Sequence, residues 1–343
     1  MLAPQASVLK CAQSGVSWGT CLIPGRKRRT TRYYVCCWQA RSLPLPRAMT
    51  DVTIGMPLYN NAVTLPAALD SLLSQTMGNF GIILSNDCSR DETDAICREY
   101  CRRDSRIEYV RQEKNLGYAN FRFVLNSATS PYFMWAAGDD RWAPTFIQRN
   151  LDALKADASL VASVSRVQFE SGGQPVRLSN GTYPLLGTVA ENLTRYLNAP
   201  GDNSRMYGVF RTDVLQRSFP ERSFHAYDWA LSAATLLEGR HNEISDVLMY
   251  RDWTPPARYS ALVRKDHASL SLRLLPVLAM TWWLVTKAKM PLTRRTIGAL
   301  VALNIDKHFE YAKAFHPKYF ERSTPVERAW RERVRWRLRL PEE

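Results

Sequence analysis

The sequence predicts an α/β protein with a mostly parallel sheet flanked by helices and a helical C-terminal extension. Two observations lead to this fold class. From residue 51 onward, short apolar segments alternate with segments of helical periodicity, which is typical of parallel strands joined by right-handed crossover helices. The 343 residues also have a globular composition, 45% hydrophobic, 23% charged and 11% aromatic, which argues against disorder.

Each element is predicted from its apolar pattern and from the residues that end it. In the first helix, apolar side chains recur at helical spacing from Val63 to Leu73, and Gly78-Asn79 ends the segment. An acidic cluster begins the second helix and suits the positive end of its dipole. We predict strands over residues 52–56, 80–85, 106–110, 132–136 and 160–167, and helices over residues 63–77, 91–102, 118–128 and 144–156.

The N-terminal segment, residues 1–48, differs from the rest of the chain in composition. Residues 1–50 contain eight of the 46 Lys and Arg residues and none of the 32 acids, so much of the net charge of +14 lies there and not in a nucleic-acid-binding core. No unbroken apolar segment follows a basic start, which excludes a secretory signal, whereas a mitochondrial-type presequence stays open. We expect this extension to be disordered, or to lie upstream of a true start at Met49.

Three cysteines lie outside that extension and fit a reduced cytosolic protein. They are Cys88, Cys97 and Cys101. Cys97 and Cys101 are four residues apart on the second predicted helix, a spacing that could present two metal ligands. We expect them instead to be small buried side chains, which is the usual place of a free cysteine.

Polar loops follow three of the predicted strands. They are Pro57-Leu58-Tyr59-Asn60, Asn86-Asp87 and Asp139-Asp140. Because ligands bind at the carboxyl ends of parallel strands, we expect the three loops to converge on one site. Two adjacent carboxylates after a buried strand need a cation, and oxygen ligands favour Mg²⁺ or Mn²⁺ shared with phosphates. With Tyr59 to stack on a base and Asp87 to accept its imino N–H, the loops predict a nucleoside-diphosphate site.

At these positions the sequence resembles family 2 glycosyltransferases, which have the GT-A fold. The matching stretches are residues 54–61, 69–76, 87–93, 115–117 and 135–140, and residues 200–260 match more loosely. In this order and spacing the set is far more specific than a lone pair of aspartates. The resemblance implies transfer of a sugar from a nucleotide donor to an acceptor hydroxyl, with inversion at the anomeric carbon.

The resemblance also implies a role for each matched residue. Tyr59 is expected to pack on the donor base and Asp87 to read it, although Asn86 stands where the family often has a further acid. Asp139 is expected near the ribose, and Asp140 as the direct ligand of Mg²⁺ or Mn²⁺. The full donor-binding set that we predict is Pro57, Tyr59, Asn60, Asp87, Asn115, Asp139 and Arg251.

The base that deprotonates the acceptor is expected at Asp228, which matches the family's acid-then-aromatic segment. From the local sequence alone, Asp228 could equally be a helix N-cap, and His225 is a competing base. The family often has a histidine near the metal, beyond the next strand, but residues 250–256 contain none. Arg251 or Asp252 could take its place, with Arg251 pairing with the diphosphate.

The C-terminal stretch lies outside the specific resemblance. Residues 270–286 are strongly apolar, but Arg273 and Pro276 interrupt them, so a buried or interfacial helix is expected rather than a membrane span. From Lys287 to the end, 14 Lys and Arg residues stand against 7 acids, and Trp330 and Trp336 lie among them. Such a basic helix with tryptophans suits an anionic membrane surface, and a solvated packing helix is the alternative.

We therefore divide the chain into four segments. They are an N-terminal extension (residues 1–48), a nucleotide-sugar-binding α/β half (49–170), an acceptor-binding half (171–260) and a basic helical region (261–343). The predicted function is inverting, metal-dependent sugar transfer to a carbohydrate or lipid-linked acceptor, in polysaccharide or glycolipid assembly of the cell envelope. The predicted location is the cytoplasm, with peripheral contact at the inner face of the membrane through the basic C-terminal region.

Two alternatives to this function remain open at the level of the sequence. One is a non-catalytic binding module that keeps the GT-A fold, which the missing histidine would explain. The other is a nucleotidyltransferase on a related sheet. Those enzymes generally have a glycine-rich basic loop after the first strand, where this chain has Met56-Pro57-Leu58-Tyr59-Asn60.

Overall fold

The computed structural model describes residues 50–253 and 274–315. The strands are β1 (Val52–Leu58), β2 (Phe80–Asn86), β3 (Ile107–Arg111), β4 (Tyr132–Trp135), β5 (Arg141–Trp142), β6 (Leu160–Ser171), β7 (Gln174–Leu178), β8 (Val209–Arg211) and β9 (Arg240–Asp252). The helices are α1 (Leu65–Leu73), α2 (Thr93–Arg103), α3 (Tyr118–Asn126), α4 (Phe146–Ala156), α5 (Val189–Asn198), α6 (Thr212–Ser218), α7 (Tyr227–Glu238), α8 (Leu278–Thr286) and α9 (Arg294–Phe315). The predicted N-terminal extension and the tryptophan-bearing basic end lie outside the described residues.

The strands form one mixed sheet in the order β3-β2-β1-β4-β8-β6-β9-β5, with β7 paired to β6. The pairs among β3, β2, β1 and β4 are all parallel, as is β6 with β9, which agrees with the predicted fold class. The remaining pairs are antiparallel. Strand β7 has to be antiparallel because it follows β6 through Gly172-Gly173, whose φ angles of 57° and 78° suit a tight hairpin turn.

Helix and strand bounds differ from the predicted ones at element ends. Helix α1 begins only at Leu65, because Pro66 lies in its first turn and suits that position, and it ends at Leu73. Strand β6 continues past the predicted residue 167 to Ser171, because its outer end pairs with β7 in the hairpin.

The sheet has apolar side chains packed on both faces. In β4, Tyr132 and Met134 belong to one core cluster and Phe133 and Trp135 to another, as the alternation of side chains along a strand requires. Every residue of β1 except Pro57 is buried, which is typical of a strand in a parallel sheet covered by helices on both faces. A third cluster joins α5, α7, α8 and α9.

The predicted apolar segment 270–286 contains helix α8. This helix buries Met280 and Leu284 in the third cluster and leaves Trp282 exposed, so it is partly buried in the protein. Among the described residues, no helix combines the length and the apolarity that crossing a bilayer requires. Cys97 is buried in the main core, as predicted, whereas Cys101 is only half-buried, and its Sγ donates to the carbonyl of Ile107.

A short 3₁₀ turn, Ser204–Tyr207, connects the loop after α5 to strand β8. Its second residue, Arg205, is fully buried, and its guanidinium donates to the carbonyl of Tyr183 and stacks on the rings of Tyr183 and Tyr196. Burial of a guanidinium is costly unless its N–H groups have partners and its faces are packed; here the two rings and the Tyr183 carbonyl supply these contacts, while Nε has no hydrogen-bond partner. Arg205 therefore anchors the turn to the protein interior.

Gly208 ends this turn against the backbone of β6. A Cβ at position 208 would lie 2.4 Å from Val164 Cγ1 and 2.7 Å from the Ser163 carbonyl oxygen, and the backbone oxygen has little room to move. We expect Gly208→Ala to lower the free energy of unfolding by about 1–3 kcal/mol, as overpacking does elsewhere. Urea unfolding measures this change. Gly78→Ala is the control, because nothing lies within 4 Å of its Cβ position; an equal effect of both variants would contradict the close approach.

Candidate functional site

The loops that follow β1, β2 and β4 lie on one rim of the sheet. In the parallel register, Leu58 is opposite Asn86, and Gly55 is opposite Trp135, so the carboxyl ends of the three strands point the same way. The loops also touch. Asp87 donates its backbone N–H to the Leu58 carbonyl at 2.7 Å, and a Cβ at Gly138 would lie 2.8 Å from the Asn61 side chain. The polar strand ends that the sequence singles out are therefore neighbours in space.

The loop after β1 presents an exposed aromatic ring on a fixed backbone. The backbone of Asn60 has a left-handed φ of 55°, its N–H donates to Ser89 Oγ at 2.9 Å, and its Oδ1 accepts the N–H of Arg90 at 2.9 Å. Tyr59 is 45% exposed, which leaves its ring available to a planar ligand. Asn60 thus ties two site loops together, and the ring of Tyr59 beside it is exposed.

Asp87 is buried at the end of β2 and binds the loop that precedes α3. Its Oδ1 accepts the N–H of Leu116 at 2.6 Å and its Oδ2 accepts that of Gly117 at 2.8 Å. Burial raises the pKa of Asp87, and the two backbone hydrogen bonds oppose this shift. The carboxylate therefore fixes the segment that carries Asn115, whose side chain is exposed.

Asn86, one residue earlier, points into the protein. Its Nδ2 donates to the Tyr109 hydroxyl at 3.0 Å and its Oδ1 accepts the N–H of Ser89 at 2.9 Å. Both polar atoms are thus used in the interior, so Asn86 does not share the role of Asp87. Asp87 lies just past the end of β2, where its carboxylate accepts the backbone N–H groups of Leu116 and Gly117 instead.

The aspartate pair after β4 has one exposed and one buried member. Asp139 is exposed, whereas Asp140 is only 2% exposed and its Oδ2 has no hydrogen-bond partner. Arg251 Nε lies 3.3 Å from this oxygen. Burial raises the pKa of Asp140 to about 7, with Arg251 opposing the shift and the charges of Asp139 and Asp252 adding to it.

Arg251 is held between two aromatic rings at the end of β9. Its guanidinium carbon lies 4.5 Å from the centre of the Tyr207 ring and 5.4 Å from that of Phe169. Its Nη1 donates to Ser204 Oγ at 3.1 Å, and Ser204 Oγ in turn donates to Asp202 Oδ1 at 2.8 Å. Arg251 reaches Asp140 because β5, directly after the aspartate pair, is paired with β9.

Asp228 lies in the first turn of α7 and does not cap that helix. The N-cap residue is Ala226, with a left-handed φ of 61°, so the capping interpretation is wrong. Asp228 Oδ2 instead accepts a hydrogen bond from Asn203 Nδ2 at 3.2 Å. Burial raises the pKa of Asp228, and the hydrogen bond from Asn203 opposes the shift. The competing base, His225, has its Nε2 2.5 Å from the Tyr311 hydroxyl.

Consecutive residues of one loop connect the two predicted reaction groups. Asn203 contacts Asp228, and Ser204 contacts Arg251, which pairs with Asp140. The hydroxyl of Tyr207, at the end of the same turn, has its pKa raised to about 12, chiefly by burial. The charged groups within electrostatic reach of that hydroxyl are Arg251, Asp140, Asp139 and Asp228.

The roles of Asn203, Ser204 and Tyr207 were not predicted from the sequence. The signal that could have found them is the polar run Gly201-Asp202-Asn203-Ser204, which marks a turn but names no partner. Asn203 is also buried with its Oδ1 accepting from the Tyr196 hydroxyl at 2.9 Å and from Ser232 at 3.1 Å. Because these two contacts fix the amide, its Nδ2 group points toward Asp228 Oδ2.

One atom of this site has the chemistry that a hard divalent cation requires. Asp140 Oδ2 is a buried carboxylate oxygen without a hydrogen bond, which is the donor that such an ion requires. The exposed Asp139 carboxylate lies beside it in the chain. Within residues 50–253 and 274–315, however, no three His, Cys, Asp or Glu side chains form a complete ligand set. A cation here would need oxygen ligands from a bound phosphate.

A separate groove of about 1100 Å³ lies along α6, α7 and α8. Its walls include Phe219, Phe224, Trp282 and Trp283, together with Lys287 at the end of α8. None of the strand-end residues described above lines it. The groove is therefore not the place where the aspartates and Arg251 meet.

Comparisons with known proteins identify a family that part of this chain matches. Residues 53–219 match the family described as "Glycosyl transferase family 2". An uncharacterized glycosyltransferase of Rickettsia typhi is 32% identical over 103 residues, which are 30% of this chain and 31% of that protein. The glycosyltransferase GlyA of Streptococcus pneumoniae is 37% identical over 90 residues, 26% of this chain and 13% of GlyA. This chain thus matches less than a third of the length of either relative.

The fold has a counterpart among solved structures. The crystal structure of S. aureus TarS aligns with a TM-score of 0.56 at 18% sequence identity, covering 76% of this chain and 44% of TarS. A structure of TarS residues 1–349 gives the same TM-score and covers 77% of this chain and 73% of that one. Residues 53–219 therefore belong to glycosyltransferase family 2, and the protein has the GT-A fold.

Proposed function

We propose that the protein is an inverting glycosyltransferase that moves a sugar from a nucleoside-diphosphate donor to an acceptor hydroxyl. The observation that carries the proposal is the meeting of a buried, unsatisfied carboxylate with a cationic side chain at the carboxyl ends of the parallel strands. Asp140 and Arg251 form that pair. Two consecutive loop residues connect it to Asp228, because Asn203 contacts Asp228 and Ser204 contacts Arg251.

The donor nucleotide is proposed to bind along the loops after β1 and β2. Tyr59 would stack on the base, since its ring is exposed while its backbone is fixed by neighbours. Asp87 has one further lone pair on each oxygen for an imino N–H, and it also holds the loop of Asn115 in place. Pro57 and Asn60 shape the wall of this subsite, and Asp139 would face the ribose.

The diphosphate is proposed to lie between Asp140 and Arg251. Arg251 presents a guanidinium, whose planar fork suits phosphate oxygens. Asp140, with Asp139 beside it, would hold Mg²⁺ or Mn²⁺ together with phosphate oxygens. Such a cation, when bound, neutralises charge on the leaving diphosphate.

Asp228 is proposed as the base that takes the proton of the attacking hydroxyl. Its carboxylate is partly buried, which raises its pKa toward the range in which a carboxylate is an effective base. Asn203 orients the carboxylate through Oδ2, and backbone N–H groups of the first turn of α7 also lie against it. The acceptor is proposed to be a carbohydrate or a lipid-linked saccharide in polysaccharide or glycolipid assembly.

The two alternatives are less well supported by the site. A nucleotidyltransferase would need a phosphate-binding glycine-rich loop after β1, and that loop instead holds Tyr59 and Asn60 tied to Ser89 and Arg90. A non-catalytic module would have no need for an acid oriented by a buried amide. The pairing of Asp228 with Asn203 therefore favours an enzyme.

Nucleotide binding can be tested by thermal unfolding of the whole chain with UDP, GDP, ADP and CDP, with and without Mn²⁺. UDP comes first because TarS residues 1–349 were solved in complex with UDP and with UDP-GlcNAc. We expect one nucleotide to raise the midpoint by several degrees in the presence of Mn²⁺, since ligand at 100 times Kd stabilises by about 2.7 kcal/mol. Asp140→Asn should remove the part that depends on Mn²⁺. Equal stabilisation of both proteins, or none by any nucleotide, would contradict the assignment.

The role of Asp228 can be tested with Asp228→Asn, which keeps the size of the side chain and removes the base. We expect turnover of donor sugar to fall by about 10²–10⁴-fold, the usual contribution of a general base, while the donor KM stays within about threefold. Asp213→Asn is the matched control, because Asp213 also lies in the first turn of a helix and pairs with Arg217. Full turnover in Asp228→Asn, or an equal loss in Asp213→Asn, would refute the assignment.

A further inference from the structure

The counter-ion of the buried Asp140 carboxylate is a side chain of the same protein. Arg251 Nε lies 3.3 Å from Asp140 Oδ2, and the side chain of Arg251 is 20% exposed against 3% for Asp140. Neither of these two atoms makes a hydrogen bond. The contact therefore depends on charge rather than on a directed hydrogen bond. Arg251 thus lies against the same carboxylate oxygen that the proposed function assigns to a divalent cation.

The guanidinium is positioned so that it can serve a second partner. The rings of Tyr207 and Phe169 pack against it, and Ser204 accepts one of its five N–H groups. Ser204 is itself fixed by Asp202, which pairs with Arg177 at 3.0 Å. These contacts hold the charge near Asp140 without saturating its donors.

We propose that Arg251 and a divalent cation compete for Asp140. The donor's diphosphate ends the competition, because its oxygens accept hydrogen bonds from the guanidinium, which then leaves Asp140. This inference rests on the proposed function and adds an order of binding to it. Without nucleotide, a cation at Asp140 would face the guanidinium at close range, and two positive charges at one buried carboxylate repel each other strongly. With nucleotide, the diphosphate supplies negative charge for both.

Such a competition makes nucleotide and metal bind cooperatively. Each should raise the affinity of the protein for the other by the same factor, because binding free energies are linked. In the absence of nucleotide the metal should bind weakly, because the free energy needed to separate Arg251 from Asp140 reduces the free energy of metal binding. Arg251 thus neutralises the metal ligand until the donor arrives and then binds the donor itself.

The test measures the Kd of Mn²⁺ in the absence of nucleotide, by the electron paramagnetic resonance signal of free Mn²⁺, for the native chain and for Arg251 variants. We expect Arg251→Gln to bind Mn²⁺ at least tenfold more tightly, because it removes the competing charge and keeps an amide near Ser204. Arg251→Lys is the matched control and should stay close to the native value, since it keeps the charge. Adding Asp140→Asn to Arg251→Gln should abolish the gain.

The same preparations are then titrated in the presence of UDP. In the native chain UDP should tighten Mn²⁺ binding at least tenfold, and in Arg251→Gln this coupling should shrink toward unity. Unchanged or weaker Mn²⁺ binding by Arg251→Gln, with normal UDP binding by the native chain, overturns this inference alone. No UDP binding and no sugar transfer by the native chain overturn the proposed function instead. If Arg251→Gln does not fold, Arg251→Met is measured in its place, because the methionine side chain is also unbranched and fills the space between the two rings.

Discussion

The contact between Asp140 and Arg251 is the interaction on which the arrangement of the site depends. Taking two charges out of water costs several kcal/mol per ion unless they are paired closely and their remaining polar atoms are satisfied. Here the pair is close, at 3.3 Å, but Oδ2 and Nε are left without hydrogen bonds. A buried pair that is only partly satisfied is a poor stabilising element, and it is well suited to exchange partners when a ligand brings further charge.

The sheet brings this pair together from distant parts of the chain. The two residues of β5 follow Asp140 directly and pair with β9 at Tyr250, one residue before Arg251. The turn of Asn203 and Ser204 then adds the third group, because one residue contacts Asp228 and the next contacts Arg251. The buried Arg205 follows immediately and anchors the turn in the interior. The donor side and the predicted base are thus joined through a single short segment.

The parts of the structure that follow local rules could be predicted from the sequence. The apolar run of β1 and the crossover pattern predict the parallel strands, and the strand ends then predict that Asp87 and Asp140 lie on one rim. The different partners of Asn86 and Asp87, which are both buried, could not be predicted, because they lie in Tyr109 and in the loop of Leu116 and Gly117, 23 to 30 positions away. The parts played by Asn203 and Ser204 depend on contacts with residues 25 and 47 positions away, which no local pattern encodes.

The most direct test of this account is a crystal structure of the chain with UDP and Mn²⁺, with the ion located by its anomalous scattering. The account predicts an anomalous peak at about 2.0–2.3 Å from a carboxylate oxygen of Asp140, with phosphate oxygens completing its ligands. It also predicts that the Arg251 guanidinium leaves that carboxylate and contacts the diphosphate. A nucleotide bound elsewhere, or an ion peak at Asp140 with Arg251 still 3.3 Å from the same oxygen, would contradict it.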